Sequence, residues 1–223
     1  MNRKYIEIVS FKGGAGKSFV AYFLSKELSK YKSTLVIDRG FVPTISYLYG
    51  VNADFANYLM KFVSEPYFTT KGNLTVVNFM CSNNLASLNV KDLEDVYSKF
   101  LDHEIVIVDN PNLPDMCYNL HREASKVLNQ NENVNVVAVA TPPEFLIEKT
   151  KKDLVEAKKL MKINPIAVVI NKDLKRPVDS MGIENLAPLF RIPFDMNYMT
   201  KPWNKMETPK PIVQLSKLIM ELN

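Results

Sequence analysis

The feature that most constrains this chain is the run of residues 10–18, which reads SFKGGAGKS and stands between two regular apolar patterns. Before it, residues 5–10 (YIEIVS) alternate and end apolar, as a β-strand does. After it, four apolar residues recur at the spacing of one helix face: Val20, Phe23, Leu24 and Leu28. Three of the 7 glycines of the chain fall inside the run, and glycine lets backbone N–H groups come close to phosphate oxygens. The run therefore predicts a phosphate-binding loop between a strand and a helix.

The end of this loop, Gly16-Lys17-Ser18, matches the last part of the pattern G-x-x-x-x-G-K-[ST]. At a helix start, unpaired backbone donors and the positive end of the helix dipole favour an anion. We expect Lys17 to reach the outer phosphates of a nucleotide and the Ser18 hydroxyl to bind Mg²⁺. The other expected contacts to the nucleotide in this segment are Gly13, Gly14, Ala15, Gly16 and Phe19. A tight turn that carries a lysine by chance is the alternative, and the flanking strand and helix disfavour it.

Short apolar runs and amphipathic segments alternate along the whole chain, without a linker or a low-complexity break. The predicted strands after the loop are residues 34–38, 74–79, 104–109, 135–141, 166–171 and 189–194. Such runs are typical of strands buried on both faces of a parallel sheet. The alternation predicts an α/β fold that is doubly wound, with a mostly parallel sheet and helices on both faces. We expect residues 1–223 to form a single domain.

Composition and charge exclude few function classes. The net charge of +4 permits an acidic partner without requiring one. The two cysteines, Cys81 and Cys117, are too few for a disulfide scaffold, so a reduced cytoplasmic setting is the default expectation. The sequence has no secretory segment and no apolar run long enough to span a bilayer. The last predicted helix, from about Pro211, suits docking on the core better than membrane insertion, so no membrane partner is expected.

A second lysine, Lys12, precedes the glycines of the loop, and Phe11 replaces the first glycine of the general pattern. The resulting K-G-G-x-G-K-S resembles the deviant Walker A motif of the ParA/MinD family of ATPases. This resemblance implies a P-loop NTPase fold, binding of ATP or ADP with Mg²⁺, and a nucleotide-dependent homodimer. It also implies that Lys12 crosses the dimer interface to the partner's phosphates, so that Lys12 and Lys17 both act in catalysis. The alternative for Lys12 is a solvated loop lysine near an anion.

Two acidic residues, Asp38 and Asp109, end predicted strands at the edge where ligands of such folds bind. A cation that bridges phosphates takes oxygen ligands, so Ser18, Asp38 and Asp109 are the expected metal ligands. The stretch DNPNL from Asp109 resembles the Walker B and switch II segment of the family; capping of the next helix is the alternative.

The first switch segment departs from the family, which typically reads D-x-D where this chain reads Asp38-Arg39-Gly40. Glycine can neither orient water nor accept a proton, so we expect weak hydrolysis. Asp38 remains as the catalytic carboxylate of this segment, orienting metal-bound water rather than acting as a base.

Residues for the nucleotide base are expected near the end of the chain. The resemblance implies that the Asn171 amide, which offers both a donor and an acceptor, bonds the adenine edge. The loop RIPFD resembles a family loop that packs on the base, which predicts contacts from Pro193, Phe194 and Asp195. The guanine pattern N-K-x-D is not present because Asp173 comes one residue too early, and this favours adenine. A turn role for Asn171 and a core role for Phe194 are the alternatives.

A lysine-rich helix favours DNA as a partner. On the predicted helix 143–161 and just after it, basic residues crowd the side opposite the apolar face: Lys149, Lys151, Lys152, Lys158, Lys159 and Lys162. The stretch 172–176 adds three positive charges. Such a face can follow phosphates without sequence preference, although a charged helix face is often only solvated. We therefore expect a ParA-type ATPase of plasmid or chromosome partition, cytoplasmic and nucleoid-associated when bound to DNA, with a centromere-binding or other adaptor protein as partner.

Two other functions remain open. The first is a nucleotide-gated regulator or adaptor, like the MinD positioning proteins, with weak or no hydrolysis, and Gly40 is its main support. The second is a redox protein like the iron protein of nitrogenase, which shares the loop and bridges its dimer with an iron–sulfur cluster. Cys81 and Cys117 each follow a predicted strand, but their surroundings lack the glycines expected around a cluster. Incidental cysteines are the commoner explanation.

Overall fold

The computed structural model describes residues 3–82, 90–112, 121–129, 133–174 and 178–222. Its strands are β1 Lys4–Val9, β2 Thr34–Asp38, β3 Phe68–Lys71, β4 Leu74–Asn78, β5 Ile105–Asp109, β6 Val134–Ala140, β7 Ile163–Asp173 and β8 Leu189–Pro193. They form one sheet in the order β3-β4-β2-β5-β1-β6-β7-β8. All neighbouring strands are parallel except β3 and β4, which are antiparallel.

Helices cover both faces of this sheet. They are α1 Lys17–Leu28, α2 Thr44–Leu48, α3 Phe55–Leu59, α4 Val90–Ser98, α5 His121–Leu128, α6 Glu144–Leu160, α7 Asn197–Thr200 and α8 Lys210–Glu221, with 3₁₀ turns at Ile183–Asn185 and Trp203–Lys205. Because side chains alternate along a strand, Ile6 and Ile8 of β1 face α1 and α8, whereas Tyr5 faces α4 and α5 and Val9 faces α6. The core therefore lies in two layers, one on each face of the sheet.

The predicted α/β class, with a mostly parallel sheet and helices on both faces, is confirmed. Each predicted strand is present within a few residues, and β7 is longer at both ends than its apolar run. The sequence did not indicate β3, whose four residues are largely exposed and include no continuous apolar run. This strand is added at the edge of the sheet by a hairpin with β4, in which the Thr70 and Thr75 hydroxyls lie 3.0 Å apart.

The cysteines and the helices bear on two of the expectations from composition. Cys81 is buried just beyond β4 and is disulfide-bonded, so the expected reduced state is wrong for this residue. The other cysteine, Cys117, lies outside the described residues. No helix in the described part of the chain is long and apolar enough to cross a membrane.

The sheet brings the predicted site residues to one edge. In the register of β2 and β5, Asp38 lies directly beside Asp109, each as the last residue of its strand. Strand β1, on the other side of β5, ends at Val9 and leads into the loop that opens α1. The carboxyl ends of parallel strands thus gather the loop and both carboxylates, as in other doubly wound folds.

Candidate functional site

The loop between β1 and α1 depends on two glycines in the left-handed region. Gly14 has φ +75° and Gly16 has φ +91°, conformations that other residues rarely adopt. Gly16 is also crowded, because a Cβ atom there would lie 2.1 Å from Nδ2 of Asn171. Nothing lies within 4 Å of a Cβ atom at Gly14. The loop therefore needs glycine at Gly16 both for its backbone and for its fit against β7.

The predicted P-loop lysine, Lys17, is half-buried and points back over the loop. Its Nζ donates to Oδ1 of Asn112 at 2.7 Å and to Oγ of Ser10 at 3.0 Å. Ser10 Oγ in turn donates to the Lys12 carbonyl at 2.9 Å. The sequence analysis did not single out Asn112 or Ser10. Its position three residues after Asp109, a predicted strand end, could have indicated that Asn112 lies near the loop.

The second lysine of the loop, Lys12, is exposed. Its ammonium group makes no hydrogen bond or ion pair with any residue among those described, in contrast to that of Lys17. A free ammonium group beside a phosphate loop suits either alternative of the sequence analysis, an interface lysine or a solvated one.

The two strand-end carboxylates lie in a dry environment. Asp38 is fully buried and Asp109 is 1% exposed. Burial raises the pKa of Asp109 well above its usual value, and the neighbouring Asp38 charge raises this pKa further. The Ser18 hydroxyl and the Lys17 ammonium lower the pKa of Asp109 in part. Burial likewise raises the pKa of Asp38, while backbone N–H groups that donate to it offset some of the rise.

The partners of these two carboxylates differ. Asp38 accepts from the backbone N–H of Ser46 at 2.8 Å and, more weakly, from that of Gly40 at 3.4 Å. Neither oxygen of Asp109 accepts a well-formed hydrogen bond from the part of the chain that the structure describes. A buried, unpaired carboxylate beside a second carboxylate and the Ser18 hydroxyl is a donor set that fits a hard divalent cation. The arrangement of Ser18, Asp38 and Asp109 is therefore compatible with the predicted magnesium site.

Gly40, the glycine at the family's second aspartate, is fixed by the turn that follows β2. A Cβ atom at this position would lie 2.8 Å from the Val42 carbonyl oxygen, which is too close for real contacts. A carboxylate at residue 40 would require the turn to move.

A buried polar cluster that the sequence analysis missed lies behind the carboxylates, on the α4 side of the sheet. Glu7 accepts from the Tyr5 hydroxyl at 3.0 Å and from Nδ2 of Asn110 at 2.9 Å. Burial raises the pKa of Glu7, and these two donors and the Arg39 charge offset part of that rise. Arg39 is 1% exposed and donates to the Tyr97 hydroxyl, but its Nε and Nη1 have no partner among the described residues. Hydrophobic pattern alone cannot locate such a cluster, because its members are distant in the chain.

A pocket of about 320 Å³ opens beside the loop and collects the residues expected to contact a base. Its lining includes Gly14, Gly16, Lys17, Ser18, Phe19, Asn171, Lys172, Pro193, Phe194, Asp195, Tyr198, Met199 and Trp203. Phe194 is 48% exposed, so the alternative of a core aromatic does not describe it. Phe19 is buried against Tyr198 and Trp203, with ring centroids 5.0 and 5.4 Å apart. The pocket therefore has an aromatic wall on one side and the phosphate loop on the other.

Asn171 lies in this pocket, and its amide already has partners. Its Nδ2 donates to the Ala15 carbonyl at 2.9 Å, and its Oδ1 accepts from the Lys172 backbone N–H at 3.0 Å. The side chain therefore ties β7 to the phosphate loop, a structural role that the sequence analysis did not foresee. Asp195 is exposed and accepts from the Asn197 backbone N–H at 2.9 Å.

On the lysine-rich helix, now α6, several of the predicted basic residues have partners within the protein. Lys149 pairs with Asp153 at 2.9 Å, and Lys152 pairs with Glu148 at 2.9 Å. Lys151 donates to the Met181 carbonyl at 2.7 Å. Lys158, Lys159 and Lys162 are exposed, as are Lys149 and Lys152.

The neighbouring stretch 172–176 contributes less to such a face than expected. Lys172 donates to the Gly14 carbonyl at 3.1 Å, so its charge lies at the phosphate loop. Residues 175 and 176 lie outside the described residues.

Comparisons with known proteins agree with the fold. No protein-family model and no curated protein matches the chain. Among solved structures, the cell division ATPase MinD of Pyrococcus furiosus is 21% identical over 100% of both chains, with a TM-score of 0.71. The ATP complex of a McdA variant from Cyanothece is 14% identical, covering 100% of this chain and 98% of that one, with a TM-score of 0.67. A plasmid partition protein from Borrelia burgdorferi is 19% identical over 99% of this chain and 97% of that one, with a TM-score of 0.64. The chain therefore has the fold shared by the MinD cell division ATPase and the plasmid partition protein.

Proposed function

We propose that this chain is a nucleotide-dependent switch of the ParA/MinD family, a single domain that binds ATP with Mg²⁺ and hydrolyses it slowly. The main support for the proposal is that three parts of the molecule meet at the carboxyl ends of the strands. These are a glycine-rich loop with Lys17, a buried carboxylate pair with Ser18, and an aromatic-walled pocket. Each part suits one component of a magnesium–nucleotide complex: phosphates, cation and base.

In this proposal the loop binds the phosphates and the pocket binds the adenosine. Backbone N–H groups of the loop and the start of α1 would face the phosphates, and Lys17 would contact the outer ones. The exposed ring of Phe194 offers a stacking surface for adenine. The Asn171 amide would need to exchange one of its present partners to bond the base edge.

Magnesium would be held by Ser18 and Asp109, with Asp38 orienting water around it. A cation held by these residues would supply positive charge beside the phosphates. Loading the site would also offset the high energy of the unpaired Asp109 carboxylate, because a cation favours the ionised form. Asp38 is fixed for this task by the N–H groups of Ser46 and Gly40.

Slow turnover follows from Gly40. Phosphoryl transfer depends mostly on positioning and on charge stabilisation, which Lys17 and the cation supply. The attacking water then lacks a carboxylate to orient it, because Gly40 stands in place of the family's second aspartate. We propose ATP hydrolysis that is measurable but weak.

A nucleotide-dependent homodimer is proposed from Lys12, whose ammonium group is exposed at the mouth of the loop. Lys12→Ala should keep nucleotide binding and weaken the dimer, because the lysine would act on the partner's phosphates. Sedimentation velocity with ATP and Mg²⁺ measures this, with Lys91→Ala, which removes an exposed lysine of α4, as a matched control. A Lys12→Ala variant that still forms tight ATP-dependent dimers would contradict the cross-interface role.

We further propose a role in DNA partition, with a centromere-binding or other adaptor protein as partner and a cytoplasmic, nucleoid-associated location. Three exposed lysines near the end of α6, Lys158, Lys159 and Lys162, support non-specific DNA binding. The second candidate is a nucleotide-gated adaptor that recruits a protein without using DNA, and its support is Gly40 in place of the family's second aspartate.

ATP turnover with Mg²⁺, measured with and without non-specific duplex DNA, tests these alternatives. Lys17→Ala is the blank. Turnover that rises with DNA supports the partition role. ATP binding without turnover above the blank, in both conditions, would contradict it and favour the adaptor.

A further inference from the structure

Lys17 is the lysine that a phosphate loop normally offers to a ligand. In this structure it donates instead to a neutral amide oxygen, that of Asn112. Oδ1 of Asn112 is 2.7 Å from Nζ of Lys17, and the same oxygen also accepts from Ser10 Oγ at 3.3 Å. We propose that Asn112 is a positioning residue for Lys17. Its amide oxygen stands in for a phosphate oxygen in the ligand-free protein and is displaced when a nucleotide binds. This inference rests on the proposed function, because the competitor that displaces Asn112 is a nucleotide phosphate.

The amide reaches the lysine because of how the loop packs. A Cβ atom at Gly13 would lie 3.4 Å from Nδ2 of Asn112, so the amide lies against the backbone of the loop. Asn112 is half-buried, and Ser10 connects it to the Lys12 carbonyl. The amide therefore rests on the loop between the lysine and the glycines, the place where a P-loop receives phosphate oxygens. A phosphate and the Asn112 amide cannot both occupy it.

Displacement of the Asn112 amide need not disturb the strand that carries Asp109. Asn112 stands three residues beyond Asp109, and Asn110, between them, is fixed by its 2.9 Å bond to the buried Glu7. Release of the amide from Lys17 would therefore leave β5 in place.

Affinity measurements separate this role from the two others that an amide at this position could have. If Asn112 contacts the bound nucleotide, its removal weakens binding. If it only orients water for attack, as glutamine does in other nucleotide hydrolases, its removal lowers turnover and leaves affinity unchanged. A residue that competes with phosphate has the opposite effect, because its removal tightens binding.

The experiment is calorimetric titration with ADP, which is not hydrolysed, in the presence of Mg²⁺. We expect Asn112→Ala to bind ADP about tenfold more tightly than wild type, equivalent to about 1.4 kcal/mol. Asn112→Asp should bind more weakly than wild type, because a carboxylate pairs with Lys17 and repels phosphate. Asn112→Ser, which retains a polar group too short to reach the lysine, should follow Asn112→Ala and serves if the alanine variant does not fold. Asn73→Ala, which removes an exposed amide at the opposite edge of the sheet, is the matched control.

An affinity order of alanine over wild type over aspartate supports the inference. Unchanged or weaker ADP binding by folded Asn112→Ala and Asn112→Ser would overturn it while wild type still binds ADP and Lys17→Ala does not. Failure of the wild-type protein to bind any nucleotide would overturn the proposed function, and this inference with it.

Discussion

The phosphate loop, residues 10–18, and the carboxylate pair, Asp38 and Asp109, lie side by side but are built in opposite ways. The loop contains exposed, half-buried and buried residues, and its Lys17 ammonium is hydrogen-bonded within the protein, whereas its Lys12 ammonium is exposed. The carboxylate pair is buried, and Asp109 lacks hydrogen-bond partners among the described residues. Lys17 of the loop therefore has hydrogen-bond partners within the protein, whereas Asp109 of the pair has none among the described residues.

Because of this difference, we expect an anion at the loop and a cation at the pair to change the free energy of folding by different amounts. An anion arriving at the loop replaces existing hydrogen bonds with stronger ones, so the change in free energy of folding is modest. A cation bound at the pair, as proposed, would relieve repulsion between two buried carboxyl groups and would supply a partner for Asp109. We infer that a cation bound at the pair would stabilise the folded protein more than an anion bound at the loop.

The largest effect is expected on the loop side. Lys17→Ala removes the positive charge that contacts the outer phosphates, and nucleotide binding should fall by roughly a hundredfold or more, about 3 kcal/mol. The folded protein should lose little stability, because Asn112 and Ser10 keep access to other donors or solvent. Calorimetric titration with ATP and Mg²⁺, together with urea unfolding, measures both quantities. ATP binding that is undiminished would break the assignment of the loop.

The two left-handed glycines provide a matched pair for the next largest effect. Gly16→Ala should be the more damaging, because its Cβ atom would lie 2.1 Å from Nδ2 of Asn171 in addition to the strained backbone. Gly14→Ala meets no atom within 4 Å and should lose only about 1 kcal/mol from the backbone conformation. Urea unfolding of both variants gives the difference. Equal destabilisation would show that contact with β7 does not hold the loop.

On the carboxylate side, Asp109→Asn should have the reverse signature of a loop mutation. Removing an unpaired buried charge should stabilise the ligand-free protein by about 1–3 kcal/mol. At about 2–4 °C per kcal/mol for a chain of this size, thermal unfolding resolves such a change. The variant should also lose the stabilisation by Mg²⁺ with ATP. Asp95→Asn, which replaces an exposed carboxylate on α4, is the control and should leave both quantities unchanged.

The smallest effect is a pH dependence with a defined sign. The pKa values of Asp38 and Asp109 are raised in the folded protein by burial, so the folded state holds these protons more tightly than the unfolded chain. The stability that the pair contributes should therefore fall as the pH rises above about 4, the usual carboxyl pKa, until it passes the raised values. Urea unfolding as a function of pH should show a shallower decline for Asp109→Asn than for wild type. An identical slope would mean that the pair does not titrate in this range.

The sequence indicates the main residues of both regions. Lys17, Gly16 and the two strand-end aspartates follow from local pattern, because motif spacing and strand ends are read along the chain. The fold follows for the same reason, since alternating apolar runs specify a doubly wound sheet.

The partners of these groups do not follow from local pattern. Asn112 meets Lys17, and Arg39 meets Tyr97, only through the packing of distant segments. The ion pairs of Lys149 and Lys152 reduce the predicted basic face because helix neighbours four residues apart compete with any external partner. The backbone path that excludes a side chain at Gly40 is likewise set by the turn after β2.

The most direct test of the account is whether loop and carboxylate pair form one site for a cation–nucleotide complex. Thermal unfolding of the wild-type protein should be compared with ATP alone, with Mg²⁺ alone and with both. We predict that the two together stabilise the protein by more than the sum of the separate effects, with a total gain of about 2.7 kcal/mol at a hundred times the dissociation constant of the complex. We also predict that Asp109→Asn removes this excess while ATP alone still binds. Strictly additive effects in wild type, or an excess that survives in Asp109→Asn, would contradict the account.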